Sequence, residues 1–175
     1  WICANDVGKP PGSLTYTQML NARGGIECDL TVARLSPSEF YIVTGTAYGE
    51  HDFGWIKRHL PSDGSVFSFD ATSSHAVLNL CGPRSREVLA KLAEESVDTD
   101  SFRFGQAKRL TVGAAPVLAL RVSYTGELGY EVFCHPKDAL AVFDAVWEAG
   151  QKYGLKPMGL EALDMVRIEA GLIFA

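Results

Sequence analysis

Residues 121–133 read RVSYTGELGYEVF. Two runs rich in valine, tyrosine and phenylalanine flank residues 125–129, and the two glycines of that short segment are typical of a reversal between antiparallel strands. We therefore predict a β-hairpin. A solvated loop charge explains Glu127, but Glu131 lies between a tyrosine and a valine in the second arm, where a carboxylate is a poor strand former. Glu131 is therefore a candidate functional residue.

Related patterns occur along the rest of the chain. Alternating or β-branched runs predict strands at residues 14–20, 26–35, 40–43, 66–71, 76–80, 109–112 and 116–124. Apolar residues three and four apart predict helices after residues 44–46, after Pro83, from Pro136 and at about 159–170, and residues 1–7 resemble the end of a helix. This order predicts an α+β protein of repeated β-β-α units with mainly antiparallel sheets, divided into β/α subdomains at 1–70 and 71–175.

The composition is that of a folded domain without a strong charge bias. The chain has 175 residues, of which 47% are hydrophobic and 21% charged, and its net charge is −5. Basic and acidic residues are interspersed, which disfavours binding to nucleic acid or to anionic membranes. No apolar run approaches the roughly 20 residues that span a bilayer. We therefore expect neither a nucleic-acid nor a membrane partner.

The cysteines and the chain ends bear on the cellular setting. The four cysteines show no CxxC spacing, so we expect free thiols in a reducing compartment, the cytoplasm or, in a eukaryote, the mitochondrial matrix. The sequence begins without methionine and ends on an apolar run. We therefore expect an interior piece of a longer protein.

The second predicted strand contains another candidate acid. A period of two places Cys28, Leu30 and Val32 on one face of this strand and Asp29 on the opposite, polar face. Half-buried strands direct carboxylates toward water. The pattern alone therefore leaves both a solvated and a functional role open for Asp29.

The histidines of the first predicted helix do not suggest a metal site. His51 and His59 are not separated by four residues, so they do not share the helix-face spacing of a ligand pair. We expect no cysteine or carboxylate to complete a ligand set near them. The prediction is two surface histidines and no metal.

Three segments together resemble a known family. They are YTQMLN with GGIECDL within residues 16–30, YTGELGYE at 124–131, and GLEALD with RIEAG within residues 159–171. In order and spacing they are similar to the folate-binding domain of the aminomethyltransferase family. That family contains the T-protein of the glycine cleavage system and the C-terminal halves of dimethylglycine and sarcosine dehydrogenases. The three motifs cover almost the whole chain.

The resemblance implies transfer of a one-carbon unit from an aminomethyl or iminium species to tetrahydrofolate, forming 5,10-methylenetetrahydrofolate. Asp29 matches the acid that orients the folate and assists proton transfer at its reacting nitrogen. Tyr124 and Glu131 match residues that line the pterin pocket. The pterin edge presents an N–H beside an amino group, two parallel donors that one carboxylate accepts. We therefore expect Asp29 and Glu131 to face a common cavity.

Two departures make the chain more similar to the dehydrogenases than to the T-protein. Cys28 stands where the T-protein type has a second aspartate, and Leu163 stands where it has an arginine. In those dehydrogenases a separate N-terminal flavin domain oxidises the methylamine. The resemblance thus implies FAD outside these residues, a small methylamine-derived one-carbon donor, and the flavin domain as a partner. A T-protein aminomethyltransferase and a non-catalytic folate-binding module are the alternatives.

Overall fold

The computed structural model describes residues 2–173. The chain forms two compact units, the first ending at Ser73 and the second beginning at Ser74. Every strand pairing within the described sheets is antiparallel. Over the same residues, no helix has the length and apolar character needed to cross a membrane.

The first unit is a three-stranded sheet with one helix. Its elements are β1 (Leu14–Leu20), β2 (Ile26–Arg34), β3 (Phe40–Thr44) and α1 (Gly49–Arg58), with a single 3-10 turn at Thr46–Tyr48 before the helix. The strand order is β1-β2-β3. The buried face of the sheet carries Met19, Cys28, Leu30 and Val32, and α1 packs Trp55 and Ile56 against it. The alternation predicted for β2 is confirmed, because Asp29 lies on the face opposite Cys28 and is only partly buried.

The second unit is a four-stranded sheet with three helices. Its elements are β4 (Ala76–Cys81), α2 (Ser85–Leu92), β5 (Ala107–Val112), β6 (Ala115–Leu120), β7 (Gly129–Cys134), α3 (Ala139–Gln151) and α4 (Leu160–Glu169). Short 3-10 turns at Thr72–Ser74 and Pro136–Asp138 precede β4 and α3. The strand order is β4-β7-β6-β5, so the strand that carries Glu131 lies inside the sheet.

One face of this sheet forms the main core of the second unit. Tyr130, Val132 and Cys134 alternate along β7 and are buried there. Helix side chains complete the cluster: Val88, Leu89, Val142 and Val146. The Tyr130 ring, fully buried, lies 5.7 Å from the ring of Phe102. Because successive strand residues point to opposite faces, Glu131 lies on the face away from this core.

The predicted fold class is confirmed, since the structure is a mixed α/β protein with antiparallel sheets. Two of the predicted elements are wrong. Within residues 2–7 there is no helix, because Cys3 bridges Met19 and the backbone N–H of Ala4 donates to the Gln18 carbonyl of β1; Trp1 lies outside the described residues. Residues 66–71 form no strand and expose Phe67 and Phe69, because no neighbouring strand in the described part of the chain pairs with this run.

The central hairpin is present, but its loop is longer than predicted. β6 ends at Leu120 and β7 begins at Gly129, so residues 121–124, expected to be strand, belong to the loop. Helix α1 also begins later than residues 44–46 suggested. Its N-cap residue is Tyr48, and no side chain, of Thr44 or Thr46 included, forms a capping hydrogen bond there. The Thr44 hydroxyl is bonded to Asp52 instead.

Candidate functional site

Glu131 occupies the middle of the four-stranded sheet, where a carboxylate is rare. Its neighbours in the strand register are Leu120 on β6 and Asn79 on β4. Leu120 is fully buried, and Phe133, two residues along β7 on the same face, is also buried. Glu131 is the one acid among the paired residues of this sheet, and its face also carries Asn79 on β4 and, paired with Leu118, Arg109 on β5.

The described part of the chain offers the Glu131 carboxylate no partner. Among residues 2–173, no group forms a hydrogen bond or an ion pair with the Glu131 side chain. Burial raises the pKa of its carboxyl above the usual value. A partly buried carboxylate normally gains partners that offset its desolvation. The missing offset is what an external donor pair would provide.

Asp29 is held in a different way. It lies directly opposite Gln18 in the β1–β2 register, and the Gln18 amide Nε2 donates to Asp29 Oδ1 at 2.9 Å. The side chain is partly exposed. Asp29 Oδ1 is therefore held by Gln18, and this contact fixes the orientation of the whole carboxylate. Because the side chain is partly exposed, Oδ2 can still accept a proton or a hydrogen bond.

Tyr124 lies in the loop between β6 and β7 and is partly buried. Several neighbouring polar groups of this loop have structural roles. The buried guanidinium of Arg121 donates to the carbonyl of Phe102, and the Ser123 and Thr125 hydroxyls are bonded to each other at 2.9 Å. Tyr124 and Glu131 are the two residues of this hairpin that the motif predicts as pterin ligands.

Two glycines determine the path of this loop. Gly126 has a φ of +72°, and a Cβ atom there would lie 2.6 Å from the Cβ of Ala170. A Cβ atom at Gly129 would lie 2.8 Å from that of Ser123. Both positions therefore need glycine for close approach. The contact at Ala170 also joins the second sequence motif to the third.

A cavity of about 460 Å³ lies where these two motifs meet. It is lined by residues of the β4 end, the hairpin loop and α4: Cys81, Gly82, Thr125, Gly126, Glu127, Met158, Val166, Glu169 and Ala170. Burial raises the pKa of the Cys81 thiol there. Neither Tyr124 nor Glu131 is among the residues that line this cavity.

The three predicted site residues divide between the units. Asp29 belongs to the first, and Tyr124 and Glu131 belong to the second. The structure describes the environment of each carboxylate within its own unit. That the two acids face one cavity stays a prediction.

The first unit contains one cluster that the sequence did not reveal. Ligand atoms of Cys28, His51 and Asp52 all lie within 4.8 Å of one another. Cys28 and Asp52 thus lie where they could complete a ligand set with His51, contrary to the expectation from its spacing, and the prediction of no metal stays a prediction. The β2 strand passes beneath the start of α1, and that long-range contact leaves no spacing signal in the sequence. Desolvation and the adjacent Asp52 carboxylate raise the pKa of the Cys28 thiol to about 12.

Comparisons with known proteins agree with the motifs. The chain is 46% identical over 173 residues to a trimethylamine-oxide aldolase of Ruegeria pomeroyi, which covers 95% of the chain and 22% of the relative. It is 38% identical over 159 residues to human mitochondrial dimethylglycine dehydrogenase, covering 90% of the chain and 18% of that protein. The chain thus spans about a fifth of the length of these relatives.

The fold has a counterpart among solved structures. The glycine cleavage system aminomethyltransferase T of Bartonella henselae superposes with a TM-score of 0.79 at 24% identity, over 99% of this chain and 45% of that one. This likeness shows the shared fold. The family model described as the GCVT N-terminal domain matches residues 1–175, the entire sequence. The chain therefore belongs to the GCVT N-terminal domain family.

Proposed function

We propose that this domain binds tetrahydrofolate and transfers a one-carbon unit to it from a methylamine-derived iminium species, forming 5,10-methylenetetrahydrofolate. The observation that carries this proposal is Glu131, a partly buried carboxylate without a partner among residues 2–173, placed inside the sheet beside the buried Leu120 and Phe133. Family membership supplies the class of ligand.

Glu131 is suited to hold the pterin ring. A reduced pterin combines a flat apolar body with an edge that carries an N–H and an amino group side by side. The two carboxylate oxygens of Glu131 accept the two donors, and the buried side chains of Leu120 and Phe133 beside it keep the surroundings of that contact apolar. Tyr124 adds an aromatic ring with a hydroxyl from the adjoining loop.

Asp29 is suited to act at the reacting nitrogen. Bound folate would supply two nitrogens that bond in turn to the iminium carbon, while the bond from that carbon to the donor nitrogen breaks and the amine leaves with one of the two N–H protons. Asp29 stabilises positive charge at the reacting folate nitrogen and accepts its proton. Gln18 donates to one carboxylate oxygen and so fixes the orientation of the group that takes the proton.

The one-carbon donor comes from elsewhere in the parent protein under this proposal. The relatives are about five times longer than this chain, and their names refer to a trimethylamine oxide and to dimethylglycine, both methylated amines. Their activities differ, one being an aldolase and the other a dehydrogenase. We propose the dehydrogenase arrangement, in which a separate N-terminal domain carries FAD, oxidises the amine and hands over the iminium carbon.

Calorimetric titration of the complete protein with tetrahydrofolate tests the proposal. Charge-assisted hydrogen bonds contribute about 1.5–3 kcal/mol, so Glu131→Ala should weaken binding by roughly 10- to 150-fold. Glu148→Ala removes an exposed carboxylate from α3 of the same unit and should leave the affinity unchanged.

Three outcomes would count against parts of this proposal. Equal affinities for the unsubstituted protein and Glu131→Ala would reject the pterin role of Glu131. Absence of folate binding in the unsubstituted protein would reject the whole function. Tight binding without one-carbon transfer to folate in a coupled assay would reject catalysis and indicate a folate-binding module.

A further inference from the structure

We propose that Cys28, His51 and Asp52 form a binding site for Zn²⁺ or a similar borderline-soft divalent cation in the first unit. One ligand atom from each residue, a thiol sulfur, an imidazole nitrogen and a carboxylate oxygen, lies within 4.8 Å of the other two. This inference does not depend on folate binding, because it uses only these residues and their immediate neighbours.

Small side-chain shifts would bring the three ligand atoms to the spacing of a tetrahedral ion, since they already lie within 4.8 Å of one another. Zinc holds nitrogen and oxygen ligands at about 2.0–2.2 Å and sulfur at about 2.3 Å, which places ligand atoms roughly 3.3–3.7 Å apart. His51 Nδ1 lies 3.0 Å from Asp52 Oδ1, so these two atoms would have to move apart by a few tenths of an ångström to bind the same ion. Three protein ligands leave a fourth position for water, as in many zinc sites.

The mixed donor set selects the kind of cation. Ca²⁺ and Mg²⁺ prefer ligand sets made of oxygen, whereas a combination of thiolate, imidazole and carboxylate suits zinc. The group is also rich in potential negative charge, since Glu27 Oε2 lies 3.6 Å from His51 Nε2 in addition to the Asp52 carboxylate. A divalent cation would offset this charge. On binding, the Cys28 thiol releases its proton to solvent.

Neighbouring groups already orient the ligands. The Thr44 hydroxyl is bonded to Asp52 Oδ2, which leaves Oδ1 directed at His51. Glu27, which faces the Nε2 side of the imidazole, is itself held by Asn21 Nδ2 at 2.9 Å. Carboxylates placed behind a histidine ligand are the usual outer support of zinc sites. The exposed side of His51 gives an ion a path from solvent.

Metal titration of the complete, metal-stripped protein tests this site. With Zn²⁺ and a competing colorimetric chelator, the unsubstituted protein should bind one equivalent more per chain than Cys28→Ser or His51→Ala. With Co²⁺ as a spectroscopic substitute, it should show the visible bands of a tetrahedral ion and a sulfur-to-cobalt charge-transfer band. Cys28→Ser should remove the charge-transfer band.

Matched variants separate site loss from general damage. Cys81→Ser replaces a thiol in the other unit, and His59→Gln replaces a histidine of the same unit, just after α1; both should retain the full metal count. His51 is half exposed, so His51→Ala should fold with an unchanged circular dichroism spectrum even if Cys28→Ser does not. An equal zinc count in the unsubstituted protein and His51→Ala, or a cobalt spectrum without the thiolate band, would show a hydrogen-bonded cluster and overturn the proposal.

Discussion

Asp29 and Glu131 are both strand carboxylates in antiparallel sheets, and the two sheets support them in opposite ways. Asp29 is partly exposed, and the Gln18 amide donates to it at 2.9 Å. Glu131 lies inside its sheet, has no hydrogen-bonding or charged partner among residues 2–173, and has a pKa raised by burial. Asp29 is thus oriented by a hydrogen bond within the protein, whereas no hydrogen-bond donor among the described residues reaches Glu131.

This difference indicates separate tasks for the two acids. A hydrogen bond that orients a carboxylate leaves it ready to accept a proton in a defined direction. A partly buried carboxylate without donors is unfavourable for folding, and a ligand that supplies two donors removes that penalty on binding. We therefore expect Asp29 to affect the rate of transfer and Glu131 to affect the affinity for folate.

The largest effect is expected at Asp29. Asp29→Asn keeps the size and one acceptor of the side chain but cannot take up a proton, so formation of methylenetetrahydrofolate should slow by about 10²-fold or more. The dissociation constant for folate should stay within a few-fold. Steady-state rates combined with a binding titration measure both quantities.

The control for this variant is Glu39→Gln, which neutralises an exposed acid of the same unit and should leave kcat unchanged. Unaltered turnover of Asp29→Asn would remove the proposed acid–base role. A loss confined to folate affinity would give Asp29 the task assigned here to Glu131.

A smaller effect is expected at Gln18, which acts through Asp29. Asp29 is partly exposed, so water replaces much of a lost donor; the loss should stay near the about 0.5–1.5 kcal/mol of an ordinary hydrogen bond, and Gln18→Ala should lower kcat by roughly two- to twelve-fold. Because a positioning residue does nothing once its target is gone, Gln18→Ala should have no further effect in the Asp29→Asn background. Additive losses in a double-mutant cycle of kcat would show that Gln18 acts independently.

Part of this arrangement could be predicted from the sequence. The alternation in β2 correctly placed Asp29 on the face opposite the buried Cys28, because successive side chains of a strand point to opposite faces. Glu131 could be singled out because a carboxylate in a run of strand formers conflicts with local preference. Both signals are local, so they are readable without the fold.

The errors arose where long-range contacts decide the structure. Residues 121–124 have strand-forming side chains, but Arg121 turns to the Phe102 carbonyl and Gly129 packs against Ser123, so the strand ends at Leu120. The run at 66–71 also has strand formers, but it finds no partner strand in the described chain. Cys28 meets His51 only because β2 and α1 pack together.

The smallest expected effect is on stability at Glu131, and its sign distinguishes this acid from Asp29. Because burial raises the folded-state pKa of Glu131 above the ordinary 4.5, the folded protein binds more protons than the unfolded chain just above that pH. This contribution to the free energy of unfolding is fully present below about pH 4.5 and is lost as the pH rises through the folded pKa.

Glu131→Gln removes this dependence, since the amide is neutral at every pH. The variant should therefore gain stability relative to the unsubstituted protein as the pH rises from 4 to 7, while its affinity for folate falls. Urea denaturation of both proteins at several pH values measures the difference in the free energy of unfolding. If that difference did not vary with pH, or if Glu131→Gln became relatively less stable toward neutral pH, Glu131 would have a charge partner in the folded protein. The contrast with Asp29 would then no longer hold.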